Sequence, residues 1–436
     1  MAASMKPLSE VTTFISRGIS PKYDEDGYLV INQRCIRDHR IEFATARHSN
    51  YEKTKVKPEK HVRQWDGLIN STGVGTLGRL AQLRVQVKET TVDSHVTIVR
   101  PDLSRLDGRY FGYALAGVES FIETLGEGAT GQTELARSRL SEVKISVPPL
   151  ATQRKIAAIL SAYDDLIENN LRRIKILEEM AQNLYREWFV KFRFPGHEHA
   201  RFVDSPLGRI PVGWEVKTLG ELISKHIGGG WGKAIADDKH TEPAWVIRGT
   251  DIPEARSCGF SKVPFRYHKK SNLRSRRLIQ GDIVFEVSGG SKGQPLGRSL
   301  HISSGLLAAS NGDPVICASF CKRIQPDSEQ YASELLYLSF LDAYVSGEVE
   351  QYQVQSTGIS NYKWSAYLEK VSRCVPPIAL QERFCELSVP LFSEITTLGR
   401  TNTTLRRTRD LLLPRLISGE VDVSELDIAV PEEVEV

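Results

Sequence analysis

Two stretches of the 436-residue chain hold the side chains best suited to chemistry, and that chemistry is the neutralisation of phosphate. Residues 34–63 contain Arg34, Arg37, Arg40, Arg47, Lys53, Lys55, Lys57, Lys60 and Arg63 against four acids. Residues 248–277 contain Arg248, Arg256, Lys262, Arg266, Lys269, Lys270, Arg274, Arg276 and Arg277 against two. Aromatic and amide groups are interleaved with them: Phe43, Asn50 and Tyr51 in the first stretch, Phe260, Phe265, Tyr267 and Asn272 in the second. Arginine and lysine neutralise phosphates, while arginine, asparagine and glutamine also read base edges. One such stretch reads equally well as a solvated loop. Two at corresponding places read as the electrostatic footprint of a duplex binder, and Lys292 in the nearby glycine loop joins the candidate contacts. The net charge of +3 does not by itself suggest nucleic acid; the distribution makes that case.

The other reactive residue types form no catalytic constellation. The loop 289–294, GGSKGQ, lacks the Gly-Lys-Ser/Thr ending of a phosphate loop, and the loop 72–78, TGVGTLG, has no strand–loop–helix setting with a following acid. Both read as tight turns whose amides approach a nucleic-acid backbone. His197 and His199 read as solvated residues rather than a metal pair. Six cysteines are scattered without a disulfide framework or a zinc spacing, which fits reduced thiols and a cytoplasmic setting. The start MAASMKPLSE has no apolar leader, and no run approaches eighteen apolar residues, so neither secretion nor a membrane span is expected. At 40% hydrophobic and 25% charged, the chain has room for two to four ordinary globular domains.

The elements that must position the basic stretches occur twice. From Val147 the chain reads VPPLATQRKIAAIL, and from Val375 it reads VPPIALQERF; a shift of 228 superimposes the diprolines and takes Gln153 to Gln381. Behind the first diproline, Leu160, Tyr163, Ile167, Asn170, Ile174, Leu177, Ala181, Leu184 and Trp188 alternate at three and four residues. That is the seam of a long helix packed lengthwise on another. Behind the second, the seam is Leu391, Ile395, Leu398, Asn402, Leu405, Leu412 and Leu416. A seam asparagine, Asn170 or Asn402, lowers stability and fixes register. Pro390, Gly399 and Pro414 interrupt the second pattern, which leaves the straightness of that long helix open.

Ahead of each helix lies a globular region with matching landmarks. Residues 8–18 and 219–229 are expected to form short amphipathic helices, and Leu29–Asn32 matches Trp245–Arg248. Asp66-Gly67-Leu68-Ile69 matches Gly281-Asp282-Ile283-Val284, each leading into a glycine loop, 71–79 or 288–298. Further strands are expected at Leu83–Val87, Val96–Arg100, Leu300–Ile302 and Val315–Cys317, and short helices near Tyr110–Ala116 and Ser333–Tyr344. Thr130-Gly131 and Thr357-Gly358 lead into the diprolines, and the PEEVEV tail is expected to fray. The expected class is α/β with α+β character: two mixed-sheet domains in tandem, each followed by a long helix, the helices pairing as an antiparallel coiled coil. The boundaries are a first domain over 1–146, central helix 147–193, linker 194–214, second domain 215–374, distal helix 375–420 and tail 421–436.

The two helix starts, the linker string SPLGRIPVGW (205–214), the Thr-Gly turns before the diprolines and the closing LLLPRLISGE (411–420) together resemble the specificity subunit of a type I restriction–modification enzyme, over both repeats. The resemblance implies that each globular domain is a target-recognition domain reading half of a split double-stranded DNA sequence. It also implies that the chain is not itself an enzyme, and that the paired helices space the domains and dock two methyltransferase subunits, which translocase–nuclease subunits then join. S-adenosylmethionine, ATP and magnesium belong to those partners, and no cofactor belongs to this chain. No base-contacting residue carries over by motif, so the basic residues above remain the candidates. The competing readings are a coiled-coil scaffold, a stand-alone DNA-binding protein outside restriction–modification, and an enzyme whose methyl-donor loop or clustered acids the sequence does not contain.

Overall fold

The computed structural model of the chain describes residues 4–128, 133–289, 294–356 and 359–430. The Thr130-Gly131 and Thr357-Gly358 turns, Lys292 and the PEEVEV tail lie outside the described residues. The chain divides into two compact units, residues 1–166 with 405–436, and residues 167–404.

In the first unit, an antiparallel sheet runs in the order Thr12–Arg17, Val96–Pro101, Gly67–Asn70, Leu80–Gln82. A second sheet runs Thr90–Val92, Tyr28–Ile31, Arg47–Ser49, Tyr23–Asp24, parallel only in its first pair. The second unit repeats the plan. Ile223–Gly228, Cys321–Pro326, Ile283–Glu286 and Ser299–His301 form the antiparallel sheet, and Phe265–His268, Glu242–Ile247 and Val315–Cys317 form the mixed one. The helices Gly108–Ala116 and Ser333–Ser346 lie where the sequence places them, with Tyr110, Phe111 and Leu115 buried in one core and Leu335, Leu336 and Phe340 in the other. The mixed α/β class holds in both.

Matching polar groups organise the two interiors. Asp66 receives Arg100 at 2.9 and 2.7 Å and the backbone N–H of Arg63 at 2.8 Å. Asp282 receives Arg323 Nε at 2.7 Å and the N–H of Ile279 at 2.8 Å. Burial pushes both carboxyls above the usual aspartate range, and the arginines pull them back only in part. Ion pairs that carry such a desolvation penalty hold geometry more than they add stability. The repeated glutamine has an equally specific task. Gln153 accepts from the N–H of Asp107 at 2.8 Å and donates to the carbonyls of Arg105 and Pro148 at 3.0 and 2.8 Å. Gln381 accepts from the N–H of Ala332 at 2.9 Å and donates to the carbonyls of Gln330 and Pro376, both at 2.9 Å. Asp107 and Ala332 cap the two short helices. One buried amide therefore locks the start of each long helix to the start of the short helix in the same repeat.

The long helices span Leu150–Tyr185, ending in a wider turn over Arg186–Val190, and Ile378–Ser418. Each contributes to both units, and within each unit they pack antiparallel. In the second unit Ile174 meets Ile395 and Leu398, and Asn170 Nδ2 donates to Asn402 Oδ1 at 2.9 Å, a buried bond closed further by Asn402 Nδ2 to the Ile167 carbonyl at 3.4 Å. In the first, Leu160, Leu416 and Ile417 share the core with Leu412 packed against it. Arg409, at a distal seam position without an apolar residue, is answered by Asp164, whose carboxylate accepts from Arg409 at 2.6 Å, Tyr113 at 2.6 Å and Arg84 at 3.1 Å. Burial alone would raise the Asp164 carboxyl; the Tyr113 hydrogen bond and the charges of Arg84 and Arg409 outweigh it and hold the group below its ordinary value.

Three expectations are corrected. Residues 8–18 form one helical turn, Leu8–Val11, and then the strand Thr12–Arg17; residues 219–229 hold the strand Ile223–Gly228. β-branched Thr12, Thr13 and Ile15 suit the pleat, and the edges of Val96–Pro101 and Cys321–Pro326 supply partners that periodicity cannot see. Residues 83–87 lie between strands, after Leu80–Gln82 and before Thr90–Val92. The linker is folded: Phe202–Ser205 pairs with Gly208–Pro211, and Trp214 sits among Phe189, Phe192 and Phe194. The distal long helix expected over 375–420 is present as Ile378–Ser418, continuous through Pro390, Gly399 and Pro414. Gly399 marks a close approach, since a Cβ there would lie 2.0 Å from the Ser257 carbonyl oxygen.

Two outcomes test this account. Asn170→Leu alone leaves Asn402 buried with its oxygen unpaired and should lower stability by about 1–3 kcal/mol; adding Asn402→Leu should recover that loss in thermal unfolding. Asp164→Asn should destabilise the protein at neutral pH. Because the folded carboxyl titrates below its unfolded value, its contribution is complete above the ordinary aspartate range and is lost as acid protonates it. The gap between variant and wild type should therefore close as pH falls below about 4 in a melting series.

Candidate nucleic-acid interface

In the first unit, Arg34, Arg37, Arg40, Arg47, Lys53, Lys55, Lys57 and Arg63 are exposed. Lys60 is not available in the same way, because its Nζ donates to the Gly18 carbonyl at 2.6 Å. Arg37 and Arg40 face each other across a two-residue hairpin turn in which Asp38 and His39 both have positive φ. Like charges directly opposite repel, and an anion between them relieves that repulsion.

In the second unit, Lys262, Lys269, Lys270, Arg274 and Arg277 are exposed. The helix Lys270–Arg276 buries Leu273, and Lys270, Arg274 and Arg277 recur at helical spacing on its outer face. Arg248, Arg256 and Arg276 are engaged with the protein. Arg248 binds Asp251 with two donors at 2.8 Å and the Lys262 carbonyl at 2.7 Å. Arg256 holds the Ser299 carbonyl at 3.0 and 3.2 Å, and Arg276 holds the carbonyls of Gly228 and Gly229 at 2.9 and 3.3 Å. Sequence reasoning counted these three with the others because the acceptors are carbonyls far along the chain, or a neighbour whose orientation only the fold sets.

It also missed two aromatic groups. The Arg47 guanidinium lies 3.7 Å from the ring centre of Tyr23, and that of Arg266 lies 4.3 Å from the ring centre of Trp231. Trp231 is 40% exposed, a large apolar ring left in solvent. A signal existed, since a lone tryptophan set in the run Gly-Gly-Gly-Trp-Gly (228–232) has no neighbouring side chains along the chain to cover it.

The expected helix-pairing residues are distributed along both units. Leu160, Ile167, Asn170, Ile174, Ile395, Leu398 and Asn402 are buried, and Tyr163, Leu177, Leu184, Leu391, Leu405 and Leu412 are half-buried. The glycine loop 71–79 joins the strands Gly67–Asn70 and Leu80–Gln82 as a turn. His197 and His199 sit on a single tight turn, where His197 contacts the Phe194 carbonyl at 2.9 Å. Among the described residues no helix is long and apolar enough to cross a membrane.

Two like-built domains, each presenting exposed basic side chains and joined to a long seam helix, define a tandem-repeat protein of a recognisable class. Comparison with known proteins gives that class its family. A family model described as the type I restriction modification DNA specificity domain matches residues 43–179. The type I restriction enzyme MjaVIII specificity subunit of Methanocaldococcus jannaschii is 34% identical over 329 residues, covering 74% of this chain and 72% of that one. The MjaIX specificity subunit of the same organism is 28% identical over 327 residues, 73% of this chain and 69% of that one. The HindI specificity subunit of Haemophilus influenzae is 21% identical over 473 residues, 93% of this chain and 98% of that one. In fold, the chain is similar to the crystal structure of the S subunit of a type I restriction–modification system from M. genitalium, with a TM-score of 0.51 at 14% identity, covering 96% of this chain and 99% of that one. The chain belongs to the family of type I restriction enzyme specificity subunits. Its role is non-catalytic recognition of DNA sequence, and the scaffold and enzyme readings fall away.

The division among the basic residues is testable. Arg274→Ala and Arg277→Ala should each reduce the log–log salt slope of DNA binding by about one phosphate contact. Arg276→Ala, which frees the 228–229 carbonyls, should instead lower the thermal stability of the second unit, and titration of labelled duplex at several salt concentrations separates the two effects.

Proposed function

We propose that residues 1–146 and 215–374 are two target-recognition domains, each reading one half of a bipartite double-stranded DNA sequence. The observation that carries the proposal is the duplication of the interior: the pairs Asp66–Arg100 and Asp282–Arg323 and the amides of Gln153 and Gln381 occupy matching places, while the basic surfaces differ in sequence. The same internal frame bearing two different faces suits two different half-sites. The paired helices over 147–193 and 375–420 are the docking surface for two methyltransferase subunits, with translocase–nuclease subunits joining that core. The methyl donor S-adenosylmethionine, together with ATP and magnesium, serves those partners and not this chain. The complex works in the cytoplasm, where host DNA lies.

Exchange of residues 215–374 for the matching region of a relative, co-expressed with the methyltransferase partner, tests the division. The methylated sequence should change in one half and persist in the other. A target altered throughout would show that the domains do not read independently.

A further inference from the structure

We propose that Arg266 and Arg47 are the base-reading residues of their respective domains, each held by an aromatic ring against its guanidinium and each reading a guanine. The proposal rests on the DNA-reading role above and assigns it to particular atoms.

The first argument is one of availability. Arg248, Arg256 and Arg276 have their donors on protein acceptors, and Lys270, Arg274 and Arg277 sit on an open helix face where only charge is fixed. Arg266 and Arg47 belong to neither group. The guanidinium carbon of each lies over an aromatic ring, Trp231 at 4.3 Å and Tyr23 at 3.7 Å. A ring beneath the guanidinium carbon accepts none of its N–H hydrogen bonds through a lone pair, so the contact holds the group without occupying an acceptor. In Arg266 the Nε is buried without a partner among the described residues. The donors that remain are those of the two terminal nitrogens, the edge that pairs with O6 and N7 of guanine in the major groove. A stack that fixes the plane before binding reduces the ordering that a bidentate contact requires. A phosphate contact has no such need.

The second argument is repetition. In the first unit, Tyr23–Asp24 pairs with Arg47–Ser49, which pairs with Tyr28–Ile31 and that in turn with Thr90–Val92. In the second, Lys233 bridges to Tyr267 on the strand Phe265–His268, which pairs with Glu242–Ile247 and that with Val315–Cys317. The order and directions are the same. In both, an aromatic from the segment entering the mixed sheet receives an arginine from the second strand. The pairings Tyr28 with Ser49 and Ala244 with Arg266 place the two arginines two residues apart in register, hence on the same sheet face. The partner rings differ, Tyr in one and Trp in the other. The stack is kept while its residues vary.

The third argument is rigidity. The chain before Trp231 is tied by Gly229 N–H to the Cys321 carbonyl and Gly230 N–H to the Cys317 carbonyl, both at 2.9 Å, and by Arg276. A Cβ on residue 229 would meet the Ala318 carbonyl oxygen at 2.2 Å, so the approach needs glycine. Lys233 and Tyr267 then exchange two backbone hydrogen bonds at 2.9 Å. The exposed ring is presented by a fixed loop. A platform that stays in solvent in the free protein, beside a guanidinium with open donors and the basic helix Lys270–Arg276, matches the groove of a duplex.

The test uses the chain assembled with its methyltransferase partner and maps the methylated motif for wild type, Arg266→Lys, Arg47→Lys, Trp231→Ala and Arg274→Ala, with thermal unfolding of each complex in parallel. Lysine keeps the charge and loses the fork. Arg266→Lys should lower discrimination about ten- to a hundredfold at one guanine of one half-site, leaving the other half intact. Arg47→Lys should do the same in the opposite half. Trp231→Ala, a change on an exposed loop, should relax the same position as Arg266→Lys, and Arg274→Ala should weaken all sequences alike without altering the motif. A folded Arg266→Lys complex with unchanged discrimination, or Trp231→Ala relaxing another position or none, overturns the proposal while leaving the DNA-reading role in place. A wild-type complex that methylates with no two-part motif removes that role, and the proposal with it.

Discussion

A long helix with a continuous apolar seam cannot bury it against its own turns, and this constraint shapes both units. The seam of the central helix is closed by the distal helix, and the converse holds, so each unit takes in chain from the far end of the sequence. The first unit is completed by residues 405–436, with Leu416, Ile417 and Val423 buried in its core. Residue 155 near the start of the central helix even holds the Ser424 carbonyl through its amine at 2.7 Å. Neither repeat has a finished core without a helix from the other. The seam's polar members, Asn170 with Asn402 and Asp164 with Arg409, satisfy one another only in a single register. A slip would leave them buried and unpaired. Register is thereby set by the penalty for error more than by the strength of any contact.

The same logic runs through the globular parts. The two domains share buried polar groups whose worth is geometric: a carboxylate that fixes an arginine and a turn, and an amide that fixes two helix starts. Such groups carry a desolvation penalty, and replacing one partner strands the other. They are therefore the hardest positions to vary. The surface has the opposite character. Arginines and lysines on an open helix face, or rings on a glycine-rich loop, can change without disturbing the frame. A recognition protein that must alter its target while keeping its assembly needs that separation of interior from surface.

Much of this was legible in the sequence because periodicity and repetition are local or self-referential. The 228-residue shift, the heptad seams, a seam asparagine in each copy and the matched glutamines need only the string of letters, and the two basic stretches follow from counting; that Asn170 and Asn402 bond to each other came from the fold. The short helices at 108–116 and 333–346 were visible as apolar runs, and Asp66 and Asp282 were visible as corresponding landmarks. What the sequence could not supply was the partner of each polar group. Arg276 and Arg274 look alike as letters, yet one holds a carbonyl 48 residues away and the other is exposed. The strands Thr12–Arg17 and Ile223–Gly228 resembled helices until the sheet edges that pair with them were known. Gly399 looked like a break and proved to be where Ser257 approaches the helix. The seam spacing and the repeat number were thus decided by the sequence itself, since they depend on spacing along one chain. Which arginines remain open to solvent was decided by tertiary structure alone, because a hydrogen bond takes its acceptor from whatever the fold brings within about 3 Å.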